Sequence, residues 1–346
     1  MRALASFFIV FVIIGGISCH YQTEFCNRPF LEDLPPTVTK IGIGSCGSEN
    51  ESQPILNTMA SKNLDLFIYL GDNVYCDTDN MDEMRSEYRK LSCKSEFVNL
   101  ITSTYTIAVW DDHDYGENDA GASYPYKEES KQIFLEFWNE PDTSSRYQHA
   151  GIYHALYFGD LTHRVQIILL DCRSFRSLQI EENGNYIPDE SYSASMLGDA
   201  QWMWLEEELQ KPAQIRIVCS STQFATQHNG WETWDNYPNE MNMMREVIQS
   251  TGAEHLIFVS GDVHYAELSK RNYTGLYPIY DFTASGITNI EHNDRPNVYR
   301  IGEPVKEPHA GMITIDWGAQ TIMFEVINVA GNSVFSYVVP WSELEF

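Results

Sequence analysis

An α/β fold follows from three features of the sequence. Short, nearly unbroken apolar runs recur along the chain, and each closes in a cluster of Asp, Asn, Cys, His, Ser or Gly. Amphipathic stretches with helical spacing lie between many of them. Near the C-terminus the pattern turns into three β-runs separated by glycines, a β-meander. Runs without polar alternation belong to sheets covered on both faces, which in α/β proteins means helices packed on the sheets.

In chain order, residues 37–43 form a strand that leads into Gly44-Ser45-Cys46, and 54–62 read as the helix that follows. The run 64–70 (LDLFIYL) leads into Gly71-Asp72-Asn73. The run 105–110 (YTIAVW) leads into Asp111-Asp112-His113-Asp114. Residues 126–138 form a helix with Ile133, Phe134 and Phe137 on one face. The run 165–170 (VQIILL) ends in Asp171-Cys172-Arg173, and 199–210 is a helix that Asp199 suits as N-cap. Residues 215–219 lead into Ser220-Ser221-Thr222-Gln223, and 240–251 form a helix closed by Gly252. The run 255–259 (HLIFV) ends in Ser260-Gly261-Asp262-Val263-His264. Strands at 311–317, 321–328 and 333–338, with turns near Gly318 and Gly331, make the meander. No internal repeat or low-complexity tract interrupts this order.

The 346 residues carry 22 Lys and Arg against 49 Asp and Glu, a formal net charge of −27. That balance argues against nucleic acid and anionic lipid surfaces as partners, since both need basic patches. A basic start at Met1-Arg2, an apolar run at 7–14 and small residues at Gly15, Gly16 and Ser18 describe a secretory signal peptide over 1–18. The protein is therefore expected in the secretory lumen or outside the cell, without stable membrane insertion. The sequons at Asn50 and Asn272 are candidate N-glycosylation sites. Of seven cysteines, Cys76 and Cys93 flank a short helical stretch and are the favoured disulfide, with Cys19–Cys26 a second pairing. Cys46 stands apart as a candidate for another role.

In open α/β sheets ligands bind at the carboxyl ends of strands. Here those ends carry Cys46, Asp72, Asp111, Asp112, His113, Asp262 and His264. Clustered carboxylates repel one another and call for cations. Carboxylates suit hard ions such as Ca²⁺, Mg²⁺ or Mn²⁺, whereas His and thiolate suit Fe or Zn. Asp72 and Tyr75, three apart on a turn, can reach one metal, and a phenolate favours a strongly acidic ion such as Fe³⁺. Asp72 has a second oxygen with which to bridge two metals. Two such ions can hold a hydroxide and clamp a phosphoryl oxygen. His113 is then placed to protonate the leaving alkoxide. Trp231, Trp234, Tyr237 and the 115–126 loop are candidates to line the pocket.

With these motifs in hand, the sequence resembles the PhoD-like alkaline phosphatase/phosphodiesterase family, within the calcineurin-like metallophosphatase superfamily. The similarity runs from about Val38 to Ile290. It is carried by Gly44-Ser45-Cys46, Gly71-Asp72-x-x-Tyr75, Trp110-Asp111-Asp112-His113-Asp114, Leu170-Asp171-x-Arg173, Leu197-Gly198-x-x-Gln201-x-x-Trp204-Leu205, Trp234-Asp235-x-Tyr237-Pro238 and Gly261-Asp262-Val263-His264. The resemblance implies a four-layer α/β/β/α sandwich over residues 37–346, after the signal peptide and an N-terminal segment at 19–36. It implies a phosphoester hydrolase, first of all an alkaline-phosphatase-like phosphomonoesterase, using an Fe³⁺ and Ca²⁺ centre, with Zn, Mn or Mg as alternatives. A phosphodiesterase or phospholipase-type activity, or a catalytically silent metal-binding protein, are the competing readings. The substrate would be a small-molecule phosphoester. By motif, Cys46, Asp72, Tyr75, Asp262 and His264 are the iron-type ligands, and Asp72 bridges to a calcium completed by Asp112 and Asn118. Arg173 is a candidate phosphate clamp, or else a salt-bridge partner of the abundant acids. Asp114, Cys172 and Met241 stand where the family commonly has Glu, Thr and Arg.

Overall fold

The computed structural model describes residues 35–346 together with Phe25 and Phe30. The expected signal peptide and the Cys19–Cys26 pairing lie outside the described residues. The first half of the chain runs β1 (Lys40–Gly44), α1 (Pro54–Ala60), β2 (Leu66–Leu70), α2 (Met81–Ser92), α3 (Ser95–Ser103), β3 (Tyr105–Val109), α4 (Asp112–Tyr115), α5 (Lys127–Phe137), β4 (His154–Phe158) and β5 (Val165–Leu169). A small hairpin, β6 (Ile180–Glu182) and β7 (Asn185–Ile187), comes next. It is followed by α6 (Gly198–Leu209), β8 (Ile215–Cys219), α7 (Pro238–Thr251), β9 (Leu256–Ser260), β10 (Ala266–Arg271) and β11 (Ile279–Ala284). The chain closes with β12 (Arg300–Val305), β13 (His309–Asp316), β14 (Thr321–Asn328) and β15 (Ser333–Pro340).

Two large mixed sheets result. The first has the order β15-β14-β13-β1-β2-β3, and the second β12-β10-β11-β9-β8-β5-β4. Within the first, β1, β2 and β3 are parallel, whereas β13 turns antiparallel against β1 and is followed antiparallel by β14 and β15. Within the second, β5, β8, β9 and β11 form the parallel centre. The parallel strands are buried along their whole length at β2, β5, β8 and β9, the burial that their continuous apolar sequence anticipates. The sheets meet through aromatic side chains: the Phe282 and Phe324 rings, from β11 and β14, lie 5.3 Å apart edge to face. Each such fully buried apolar side chain contributes about 1.5–3 kcal/mol.

The sequence-derived helices are present with small boundary shifts. α7 ends on Gly252 at φ 62°, as the glycine signal anticipates. Asp199 is not an N-cap: α6 starts one residue earlier, and its capping position is Leu197, without a side-chain cap. Glu240 supplies the missing acceptor from α7, taking the amides of Met196 and Leu197 and the Trp202 indole N–H at 2.9–3.0 Å. α3 and the strands β4, β10, β11 and β12 had no reading from sequence, because their apolar spacing is short or broken by charges.

The disulfide expectation needs correction. Cys76 is a free thiol, and it donates to the His113 carbonyl at 2.8 Å. Cys93 is disulfide-bonded, so its partner is another cysteine and not Cys76. α2, a full 12-residue helix about 18 Å long, lies between them in the chain. Both sequon asparagines, Asn50 and Asn272, are exposed.

Candidate metal centre

The parallel strands deliver their polar ends to one place. Cys46 follows β1, Asp72 follows β2, Asp111 and Asp112 follow β3, and Asp262 and His264 follow β9. The strand ends come close enough here that glycine is required, both within a sheet and between the two. A Cβ on Gly71, at φ +100°, would sit 2.5 Å from the Asp111 Cβ at the end of the neighbouring strand, and one on Gly261, from the second sheet, would sit 2.6 Å from the Ser45 hydroxyl of the first. Four of the polar residues themselves hold left-handed backbone: Cys46 at φ 59°, Asp72 at 49°, Asp262 at 72° and His264 at 62°. Such conformations cost a non-glycine residue about 1–3 kcal/mol each and persist where the surroundings over-determine them. They turn the side chains out of the strand direction and toward one another.

The Cys46 thiol donates to Asp72 Oδ2 at 3.2 Å and lies 3.0 Å from the Ser285 hydroxyl, which accepts from the His264 amide at 2.8 Å. The Tyr75 hydroxyl donates to Asp72 Oδ2 at 3.3 Å and is 3.3 Å from His264 Nε2. Cys46, Asp72 and His264 thus offer three donor atoms within 4.8 Å of one another, and Asp72, Asp112 and His113 offer a second such group. Asp72 belongs to both. Its Oδ1 is buried without any partner.

Electrostatics repeat the message. Burial first, then Asp112 and Asp111, pushes the Asp72 carboxyl well up, and burial with the Asp111 and Glu232 charges does the same to Asp262. Burial and Asp72 raise the Cys46 thiol, and burial with Cys46 and Asp72 raises the Tyr75 phenol. His264 is lowered by burial and by His113, which keeps its ring neutral. A cation at this point reverses every one of these penalties at once, because it favours thiolate, phenolate and carboxylate together. A buried, unpartnered carboxylate oxygen amid a thiol, a phenol and a neutral imidazole is a donor set that fits a metal ion.

The Trp110–Asp114 motif divides its four polar side chains among four tasks. Asp111 turns inward to Arg173 and to the Ser221 hydroxyl, 2.7 Å away. Asp112 faces the cavity and accepts from the Asp119 amide at 2.8 Å. His113 points Nδ1 at Asp77, 2.7 Å away, and its ring lies 4.4 Å from that of Tyr75. Asp114 folds back to cap the Asp111 amide at 2.7 Å and to bind Asn73. Burial opposes charge on His113, but Asp77, Asp72 and Asp112 hold it protonated up to about 10. Burial likewise opposes charge on Asp112, yet Arg173 and His113 hold it down at about 2.

Arg173 does not reach the cavity, which corrects the phosphate-clamp expectation. Its guanidinium is fully buried, paired with Asp111, with Asp112 at 3.3 Å and with Glu232 at 2.7 Å. Arg176 closes the other side of Glu232. These two arginines balance charge behind the site and position Asp111 and Asp112. Arg173→Met leaves buried carboxylates uncompensated, so a loss of about 3–5 kcal/mol is expected in urea denaturation of the metal-free protein. A loss below 1 kcal/mol would contradict this role.

A cavity of about 300 Å³ opens over the donors. From the sequence-derived set it is lined by Asp72, Asp112, His113, Asn118, Asp262 and His264. Trp231 lines it as anticipated, whereas Trp234 and Tyr237 are core residues, their polar ends bound to the Ser220 hydroxyl and the Ser177 carbonyl. The 115–126 loop lines it through Asn118 and Asp119, whereas its Tyr115 and Tyr124 are buried and bonded to the carbonyls of Gly121 and Thr78. Sequence reasoning missed Asp77, Asp119, Tyr186, Glu232 and Glu291. None follows an apolar strand, and the only local signal, left-handed backbone at Asp77 and Asp119, is visible in the structure alone.

The profile of a family described as PhoD-like phosphatase matches residues 42–303. The chain belongs to that family. The match spans β1 to β12, and so every residue of the donor sets. Alkaline phosphatase D of Bacillus subtilis (strain 168) is 22% identical over 277 residues, covering 67% of this chain and 46% of that protein. The chain thus spans about half the length of this curated PhoD relative. The solved structure of PhoD superposes with a TM-score of 0.70 at 18% identity, covering 88% of this chain and 69% of that one. GAP50, the anchor in the inner membrane complex of Plasmodium, superposes with a TM-score of 0.57 at 9% identity over 88% of this chain and 89% of that one. At such identities the structural likeness speaks for the fold, and the PhoD-like donor residues have to speak for chemistry.

Proposed function

We propose that this chain is a secreted, metal-dependent phosphoester hydrolase, acting first of all as a phosphomonoesterase. The observation that carries the reading is the convergence of Cys46, Asp72, Tyr75 and His264 on one point and of Asp72, Asp112 and His113 on its neighbour, under an open cavity. Cys46, Tyr75, Asp262 and His264, with Asp72, would hold Fe³⁺, since thiolate and phenolate favour it. Asp72, Asp112 and Asn118 offer oxygens for Ca²⁺. When bound, such a pair supplies a nucleophile from water at neutral pH and stabilises charge on the phosphoryl oxygens.

The protein's own groups do the rest. Asp72, which belongs to both donor groups, would serve both positions. Asp77 holds His113 Nδ1, and Tyr75 supports the ring, so Nε2 is the atom left to donate a proton to the leaving alkoxide. Cations held by Asp72 and Asp112 would engage two of the carboxylates that, with Asp77, keep His113 protonated. Arg173 and Arg176 pair with Asp111 and Glu232 behind the site without entering the cavity. A diesterase on the same centre differs only in what the cavity accepts around the phosphorus. The same reading takes the two sheets with their helices as a four-layer sandwich. It also takes residues 1–18 as a cleaved leader, with exposed Asn50 and Asn272 open to glycans.

Elemental analysis of protein purified without added metal tests the centre. Iron and calcium near one equivalent each are expected, with turnover of mono- and diesters. Cys46→Ser should lower the iron content at unchanged far-UV circular dichroism. Zn or Mn in place of iron would retain the hydrolase and remove the iron assignment, and no metal taken up at all would overturn the proposal.

A further inference from the structure

The cavity over the donor sets is unusual for a phosphoester site in one respect. No Lys or Arg is among its described lining residues. The nearest arginines are committed elsewhere: Arg173 and Arg176 are buried on Asp111 and Glu232, and Arg295 stacks on the Trp231 ring at 4.0 Å without joining the lining. Once Asp72, Asp112 and Asp262 are assigned to cations and Glu232 to the arginines, Glu291 still faces the cavity. The Asn293 amide, at 2.7 Å, holds its Oε1 in a turn and keeps the side chain in place. Two aromatic residues, Trp231 and Tyr186, share the lining. Tyr186 comes from the β6–β7 hairpin, anchored by its amide to the Gly230 carbonyl at 3.0 Å, and its hydroxyl is bound to Asp119. His113, on the donor side, is the cationic side chain of the lining; away from it, the Glu291 carboxylate and the aromatic residues Trp231 and Tyr186 form a stretch without Lys or Arg, which repels a second negative charge and suits a positive one.

We propose that this cavity selects phosphoesters whose alcohol carries an ammonium group, held by Glu291 and the rings of Trp231 and Tyr186. The inference rests on the hydrolase reading and adds the class of alcohol. Trp231 is also tied into its loop through the Asn236 amide, which donates to its carbonyl at 2.8 Å, so the wall is pre-shaped before substrate arrives.

Three p-nitrophenyl diesters, whose second alcohol is choline, methanol or 3-hydroxypropanoate, separate the possibilities when offered to the metal-loaded protein. The choline ester is expected to exceed the methyl ester in kcat/KM by about five- to tenfold, the size of one partly exposed charge contact plus a cation–π contact. The carboxylate ester should be the poorest. Glu291→Gln should bring the choline-to-methyl ratio near one, and Glu291→Lys should favour the carboxylate ester. Calorimetry with choline phosphate against methyl phosphate should show the same preference and the same loss. Equal kcat/KM for the three esters, or a preference that survives Glu291→Lys, would overturn this inference and leave the hydrolase standing. No turnover of these diesters, nor of p-nitrophenyl phosphate, by metal-loaded protein would overturn both.

Discussion

Replacing Asp72 with Ala is expected to strip the protein of both metal positions and to lower phosphoester turnover by about 10⁴-fold or more. Asp72 is common to the two donor groups, and its Oδ2 lies within 3.3 Å of both the Cys46 thiol and the Tyr75 hydroxyl. No other carboxylate among the described residues belongs to both groups that hold a His. The stability signature should run the other way. In the metal-free protein Asp72 is penalised by burial and by Asp112 and Asp111, so its removal relieves repulsion. In the presence of a chelator the variant should melt at the same temperature as the parent or higher. On adding metal, only the parent should gain, since binding to the native state stabilises by mass action. A variant that retains a full complement of both metals would remove Asp72 from the bridging position.

His113→Ala is expected to keep its metal and lose turnover by roughly 10²–10⁴, the range for a positioned proton donor. The loss should depend on the leaving group. Alkyl phosphates need the proton most and should suffer most, whereas p-nitrophenyl phosphate, whose phenolate leaves unaided, should suffer least. Asp77→Asn tests the support. Its carboxylate is 2.7 Å from Nδ1, and the amide loses the charge that holds the imidazolium. The alkaline limb of the pH–rate profile should then move to lower pH, because a weaker partner means a lower His113 pKa. A purely structural Asp77 would change the amplitude of the profile and not its position. Equal losses for alkyl and nitrophenyl esters in His113→Ala would assign the residue to binding.

Much of the site was legible from local pattern. A continuous apolar strand followed by Gly-Asp or Asp-Asp-His-Asp states that a carboxylate emerges where a strand stops, and parallel strands bring their ends together. Cys46, Asp72, Asp112, Asp262 and His264 could be named on that ground; Cys46, Asp72 and His264 share one donor group, Asp72, Asp112 and His113 a second, and Asp262 lines the cavity beside them. Arg173 shows where the reasoning stops. An arginine just past a strand can face either the cavity or the core, and the choice was made by Glu232, 59 residues later, and by Asp111 on the other sheet. Trp234 and Tyr237 follow the same logic, since only the packing of α6 and α7 decides that they are buried. Cys76 and Cys93 looked like partners by spacing, but Cys76 is a free thiol bound to the His113 carbonyl and Cys93 is bonded to another cysteine.

Strand identity, helix identity and the order of the polar clusters are properties of short windows, because periodicity and capping act over a few residues. The assignment of each polar side chain is different. The left-handed backbone at Cys46, Asp72, Asp262 and His264 is unfavourable locally and is sustained by tertiary contacts, with Gly71 allowing close approach to the neighbouring strand end and Gly261 to the other sheet. Asp119, Glu232 and Glu291 come to the cavity from loops with no strand behind them. Which acid meets a cation, which meets an arginine and which is left facing the substrate was therefore decided by tertiary structure, where like charges far apart in sequence are forced together and have to find different partners.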